Sequence, residues 1–182
     1  MTISKKLFLF TAGAALSAVQ VFGQSTQQGT STLTLTVAPE SAITVQSVAL
    51  TESSGVGNFG SAYTGATTFT YKIRTAAAAG GSITVKITSD FSNGTGNQPS
   101  VASPQTGDQL TYTCSVASVG CPSSVTASTG SATNVATFGN DSHSAQGANA
   151  TSSGSVTWSL PNDPIYPANT YSAVATFTIS TT

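Results

Sequence analysis

The chain carries very little charge. Only 6% of its 182 residues are Asp, Glu, Lys or Arg, whereas about 25% is usual in soluble proteins. Lys5 and Lys6 account for two of the five basic residues, which leaves three cations for the rest of the chain. Three cations cannot neutralise a run of phosphates or hold an anionic lipid surface. The composition therefore argues against nucleic acid and anionic membranes as partners.

Long apolar runs are missing after residue 23. No later segment approaches the roughly 20 apolar residues that a membrane-spanning helix needs. We therefore expect no membrane span in the mature chain.

The N-terminus has the pattern of a secretory signal peptide. Lys5 and Lys6 precede an apolar stretch over residues 7–19, and the small residue Gly23 follows Val21 at the spacing that signal peptidase prefers. The sequence predicts a signal peptide over residues 1–23, cleaved after Gly23, and a single domain over residues 24–182. The protein is then secreted or held at the cell surface, with the periplasm as the alternative location.

Cysteine is scarce: the chain has only Cys114 and Cys121. In an exported protein a close pair of this kind predicts a disulfide. On the chain-entropy model, so small a ring stabilises the fold by about 2–3 kcal/mol. The alternative, a redox-active pair, would favour a Cys-x-x-Cys spacing at the start of a helix.

Residues that carry enzyme chemistry are few. The only histidine, His143, stands between Asp141-Ser142 and Ser144, but a working triad converges in space from separate elements, so this adjacency is no evidence for catalysis. No zinc spacing, phosphate-binding glycine loop or cofactor motif is present. We expect no enzymatic activity, no cofactor and no metal centre.

A calcium site is a weaker alternative at two loops. Carboxylate and amide oxygens are the ligands that Ca²⁺ takes, although Asn and Asp are equally common in turns. The candidates are Asp90, Asn93, Asn97 and Asp108 in one loop, and Asn140 and Asp141 in the other.

The remaining sequence is patterned for β-strands. Apolar and polar residues alternate with a period of two, and β-branched and aromatic residues fill the apolar positions. We predict an all-β fold, an immunoglobulin-like antiparallel sandwich of seven or eight strands, in which Phe69–Arg74 and Ile83–Thr88 form a hairpin. The other predicted strands are Thr32–Val37, Ala42–Leu50, Leu110–Val116, Val156–Leu160 and Tyr171–Ile179, and Val125 and Val135–Phe138 are candidates for short strands.

Two segments resemble bacterial surface proteins. The strand Tyr171–Ile179 is similar to the last strand of many surface β-sandwiches, fimbrial subunits among them. The stretch Ser155–Leu160, followed by Pro161 and Pro164, resembles the Trp-x-Leu motif of cell-surface WxL domains. The resemblance implies a bacterial surface or matrix protein of immunoglobulin-like form.

We therefore predict a non-catalytic structural or adhesive protein that forms homo-oligomers or filaments. The association strand is Thr32, Leu33, Thr34, Leu35, Thr36 and Val37. It can pair with its own sheet or complete the sheet edge of a neighbouring copy. The alternative function is a carbohydrate-binding module that recognises a surface glycan through Trp158, Tyr166 and Tyr171, although the alternation around Trp158 favours the core for that side chain.

Overall fold

The computed structural model describes residues 29–52, 59–92, 98–102, 108–117, 119–147 and 149–181. The chain divides into two units, residues 1–36 and residues 37–182. The predicted signal peptide lies outside the described residues. In the first unit, residues 29–36 form no strand.

The second unit is an all-β sandwich of two antiparallel sheets, as predicted, and its described residues contain nine strands rather than seven or eight. The strands are β1 (Glu40–Val45), β2 (Thr51–Glu52), β3 (Tyr63–Arg74), β4 (Gly81–Ser92), β5 (Thr111–Val116), β6 (Val125–Thr126), β7 (Thr133–Phe138), β8 (Ser152–Leu160) and β9 (Ser172–Thr181).

One sheet, sheet A, has the order β1-β3-β8-β5-β6, and β2 pairs with β3 on the same side as β1. The other, sheet B, has the order β7-β4-β9. The centre of sheet B is β4, whose inward residues Ile83, Val85 and Ile87 are at most 3% exposed. The core between the sheets joins these residues to the inward aliphatic and aromatic side chains of sheet A, among them Phe69, Tyr71, Tyr112, Val156 and Trp158.

The predicted hairpin is wrong. Both strands exist, but β3 lies in sheet A and β4 lies in sheet B, so the chain crosses the core between them. At the start of β4, Gly81 lies very close to β9, because a Cβ there would lie 2.6 Å from the carbonyl oxygen of Ser180. Each strand has one apolar face, and the two faces meet across the core instead of lying side by side in one sheet.

The predicted strand Thr32–Val37 is also not a strand in the structure. The first strand is β1, which covers only the start of the predicted segment Ala42–Leu50. A strand exists through ladder hydrogen bonds to a neighbour, and residues 29–39 have no ladder partner among the described residues.

Strand β7 contains a bulge. Ile83 of β4 pairs with Ala136, whereas Thr84 pairs with Asn134, so Val135 has no partner on β4. Val135 and Ala136 are consecutive and both fully buried, as expected where an extra residue interrupts the alternation of a strand. At the bulge, the backbone carbonyl groups of Asn134 and Val135 contact the Tyr112 and Cys114 side chains of sheet A.

Candidate functional site

The segment chosen from the sequence for association is exposed. Leu33 and Leu35 expose 95% and 85% of their surface, and Val37 exposes 56%. These apolar residues alternate along the chain, so in an extended conformation they share one face. Several large apolar side chains exposed together are unusual unless they meet a partner.

The outer edge of β9 is the longest unpaired strand edge in the described chain. This strand has ten residues, and among the described strands it pairs only with β4. Its inward residues Ala173, Ala175, Phe177 and Ile179 are only partly buried. The core is therefore incompletely covered along this edge.

Strand β1 runs close to β9 on the same side of the sandwich. The inward residues of β1 also leave this side of the core partly exposed: Ile43 is only partly buried, and Val45 is 37% exposed. We call the outer edge of β9 together with Ile43 and Val45 the open edge. It offers unpaired backbone groups beside partly exposed apolar side chains.

Arg74 contacts the residues just before and at the start of β1. Its Nε donates a 2.9 Å hydrogen bond to the carbonyl oxygen of Ala38, and its Nη2 lies 3.0 Å from Oε2 of Glu40. The ion pair is solvent-exposed and contributes little to stability. Its effect is local: residues 38–40 are held against the end of β3.

The two cysteines of the predicted disulfide lie side by side as thiols. Cys114 is on β5, Cys121 follows the loop after β5, and their Sγ atoms lie 3.2 and 3.3 Å from the same carbonyl oxygen of Val135. That oxygen belongs to the bulge of β7. Burial and a hydrogen bond with the Cys121 thiol raise the pKa of Cys114 to about 12. The structure thus brings the predicted pair together, and the disulfide itself stays a prediction.

The residues around His143 form a structural turn. Asp141 adopts a positive φ of 53°, and the backbone of Ser142 exchanges hydrogen bonds with Thr75. The Ser144 hydroxyl accepts a hydrogen bond from the backbone of Ile73, and His143 Nδ1 lies 3.4 Å from the backbone carbonyl of Asp141. These contacts attach the turn to the end of β3 and do not assemble a nucleophile with a base.

The oxygen ligands proposed for calcium have other contacts. The Asp90 carboxylate accepts hydrogen bonds from the backbone of Phe91 and Val101 and from the Ser100 hydroxyl. The Asp108 carboxylate accepts one from the Tyr166 hydroxyl at 2.9 Å. Burial, followed by this contact with Asp108, raises the pKa of Tyr166.

The other two calcium candidates in that loop, Asn93 and Asn97, lie outside the described residues. Within the described ranges, no three His, Cys, Asp or Glu side chains cluster as metal ligands.

The aromatic platform considered for a glycan does not form. Trp158 is 4% exposed, and its Nε1 donates a 2.8 Å hydrogen bond to the buried hydroxyl of Thr67. The ring packs edge-on against Tyr112 and Phe177. Trp158 is therefore a core residue, as its alternation indicated.

A polar surface on the outer face of sheet A was missed from the sequence. The strand register places Thr44, Thr70 and Ser153 in one row and Thr68, Ser155 and Ser115 in the next. A depression of about 430 Å³ lies over these rows. The only sequence indication was the run of Ser and Thr at outward positions of each strand.

No family model, curated protein or solved structure matches this chain. In the described part of the chain, no helix has the length and apolar character needed to cross a membrane. What the protein does is therefore inferred from its own residues and geometry.

Proposed function

We propose that this protein is an exported, non-catalytic structural component of a bacterial cell surface or extracellular matrix, and that its copies associate by strand addition. In this assembly, Thr32–Val37 of one copy pairs with the open edge of the next. The observation that carries the proposal is the exposure of Leu33 and Leu35, which alternate in the pattern of a strand and have no ladder partner within the described part of the chain.

The proposed contact would bury apolar surface of both the Thr32–Val37 segment and the open edge. The segment brings three apolar side chains on one face, and the open edge has partly exposed Ile43 and Phe177 beside unpaired backbone groups. Fully burying a Leu or Val side chain contributes about 1.5–3 kcal/mol. Because association costs at least about 4 kcal/mol in lost freedom of motion, we expect multimers to form in a concentration-dependent way.

The surface composition favours such association. Lys72, Arg74 and Lys86 are the only basic residues after residue 23. A surface with so little charge puts weak electrostatic repulsion between copies.

The test is a deletion combined with an added peptide. Mature protein over residues 24–182 is concentrated and measured by light scattering beside a variant that lacks residues 24–37. We expect multimers of the mature protein only, and we expect the truncated protein to bind a Thr32–Val37 peptide. A peptide of the same composition in scrambled order is the control. If the mature protein stays monomeric at high concentration, the proposal is wrong.

A further inference from the structure

The outer face of sheet A has a feature that assembly through the open edge does not use. Six hydroxyl side chains from four neighbouring strands surround a depression of about 430 Å³. We call it the hydroxyl depression; it is formed by Thr44, Thr68, Thr70, Ser115, Ser153 and Ser155. It is a depression open to solvent and not an enclosed cavity.

Gly154 and Phe69 also line this depression. A Cβ on Gly154 would lie 2.5 Å from Cζ of the buried Phe69. Because Gly154 has no Cβ, the backbone of β8 comes close to the Phe69 ring in the middle of the sheet. Ser153 and Ser155 on either side then face outward at the rim.

The hydroxyls of the depression are not used by the protein. None of the six hydrogen-bonds through its side chain to another group in the described ranges, and five of the six residues are exposed. On the outer face of sheet B, in contrast, two pairs of hydroxyls hydrogen-bond to each other. Ser82 Oγ lies 3.2 Å from Ser180 Oγ, and Thr88 Oγ1 lies 2.9 Å from Thr176 Oγ1. Within the described ranges, the six hydroxyls of the depression are therefore free to meet a ligand.

The charge of the depression limits the chemistry of that ligand. Its lining includes the amide of Gln46 but no charged side chain, and the nearest cation along β3, Lys72, stands in the adjacent row. A charged ligand would find no counter-charge there. A purely apolar ligand would bury several hydroxyls without partners, which is unfavourable.

An uncharged polyhydroxylated ligand satisfies both limits. Its hydroxyls can exchange hydrogen bonds with those of Ser and Thr, each of which both donates and accepts. Thr68 and Thr70 also present methyl groups, which suit the C–H faces of a sugar ring. We propose that the hydroxyl depression binds an uncharged saccharide chain, so that the protein has a glycan-binding face separate from the open edge.

The test is a binding titration with defined neutral oligosaccharides. Mature protein is titrated with cellohexaose, xylohexaose and N-acetylated chitohexaose, and with oligogalacturonate as a charged comparison. The test variant is Thr68→Val/Thr70→Val, which keeps the side-chain volume and removes two hydroxyls. The matched control is Thr84→Val/Thr178→Val, a cross-strand threonine pair of sheet B.

We expect one of the neutral hexasaccharides to bind saturably, with a dissociation constant that hardly changes with salt. We expect the sheet A variant to weaken binding about tenfold or more and the sheet B variant to leave it unchanged. The proposal is overturned if no neutral hexasaccharide binds, if oligogalacturonate binds more tightly than all of them, or if the sheet B variant loses as much affinity as the sheet A variant. Near-ultraviolet circular dichroism checks that both variants keep the native packing.

Discussion

The hydroxyl of Tyr112, on β5, lies 2.9 Å from the carbonyl oxygen of Asn134, on β7 of the opposite sheet. Tyr112 is 1% exposed, and its hydroxyl also contacts Thr133 Oγ1 at 2.9 Å. These contacts connect the two sheets next to the bulge at Val135. A polar bridge between the sheets stabilises one arrangement of them, because breaking it takes a hydrogen bond from a partly buried acceptor.

We expect Tyr112→Phe to lower the free energy of unfolding by about 1–2 kcal/mol, since the Asn134 carbonyl loses a buried donor. Urea denaturation measures this as a lower midpoint with an unchanged slope. Tyr171→Phe is the matched control, because the Tyr171 hydroxyl donates to Pro167 at the exposed surface. Equal losses in the two variants would contradict a special role for the bridge between the sheets.

Gly154→Ala is expected to destabilise the fold by about 1–3 kcal/mol, because overpacking forces well-packed neighbours to move. The new Cβ would lie 2.5 and 2.6 Å from two atoms of the Phe69 ring. Gly130→Ala is the control: its nearest atom, Ser128 Oγ, is 3.7 Å from the Cβ position, and we expect a change within about 0.5 kcal/mol. Thermal unfolding followed by circular dichroism compares the two. A neutral Gly154→Ala would mean that Phe69 can move aside.

The thiol pair predicts a pH dependence that differs between the reduced and oxidised protein. In the reduced protein the pKa of Cys114 is about 12, above the ordinary 9.0, so the folded state holds this proton more tightly than the unfolded state. The resulting stability is fully present below about pH 9 and is lost as the pH rises toward 12. A Cys114–Cys121 disulfide removes both titrating thiols.

We therefore expect the stability advantage of the oxidised protein, about 2–3 kcal/mol near neutral pH, to grow above about pH 9. Urea denaturation of both forms near pH 7 and near pH 10 gives the comparison. Burial, the largest cause of the raised pKa of Tyr112, is present in both forms. A constant difference across this range would contradict the thiol assignment, and two free thiols in exported protein would exclude the disulfide.

Strand addition through Thr32–Val37 predicts that charges at two neighbouring residues affect assembly differently. Leu35→Asp places a charge on the apolar face of Thr32–Val37, and Thr34→Asp places the same charge on the opposite face of an extended chain. We expect the first variant to abolish multimers in light scattering and the second to leave them largely intact. Since Leu35 is 85% exposed, neither variant should change the unfolding midpoint of the monomer. Equal effects of both charges on assembly would mean that net charge, and not strand addition, controls it.

The strands of the core were largely predictable from alternation, but their partners were not. The segments 69–74 and 83–88 each showed one apolar face. Two strands of a hairpin have this pattern, and so do two strands that face each other across a core. Only the packing of the whole chain separates these arrangements. The eight residues between the two segments fit either arrangement.

The early part of β3 was missed for a different reason. From Tyr63 to Thr67 the inward positions include Gly65 and Thr67, neither of which looks apolar in the sequence. Gly65 is close to Ala49, whose carbonyl oxygen would lie 2.6 Å from a Cβ there, and Thr67 accepts the hydrogen bond from Trp158. These inward positions are therefore filled through contacts with residues distant in sequence, and the sequence itself does not show the apolar alternation that predicts a strand.

For the candidate sites as well, local features were predictable from the sequence, and features that depend on strand pairing were not. The closeness of Cys114 and Cys121 was visible in their spacing, and the core position of Trp158 followed from its neighbours. The hydroxyl depression was not visible, because its rows depend on which strands are adjacent: Thr68 meets Ser155 only through the pairing of β3 with β8.

The position of Trp158 has an optical consequence. It is the only tryptophan of the chain, it is 4% exposed, and its ring centroid lies 5.3 Å from that of Tyr112. Its fluorescence therefore comes from a single place midway between the sheets, shielded from aqueous quenchers and close enough to a tyrosine to receive its excitation energy. Separation of the sheets would shift the emission to longer wavelength, so the native chain carries its own reporter of whether the sandwich is closed.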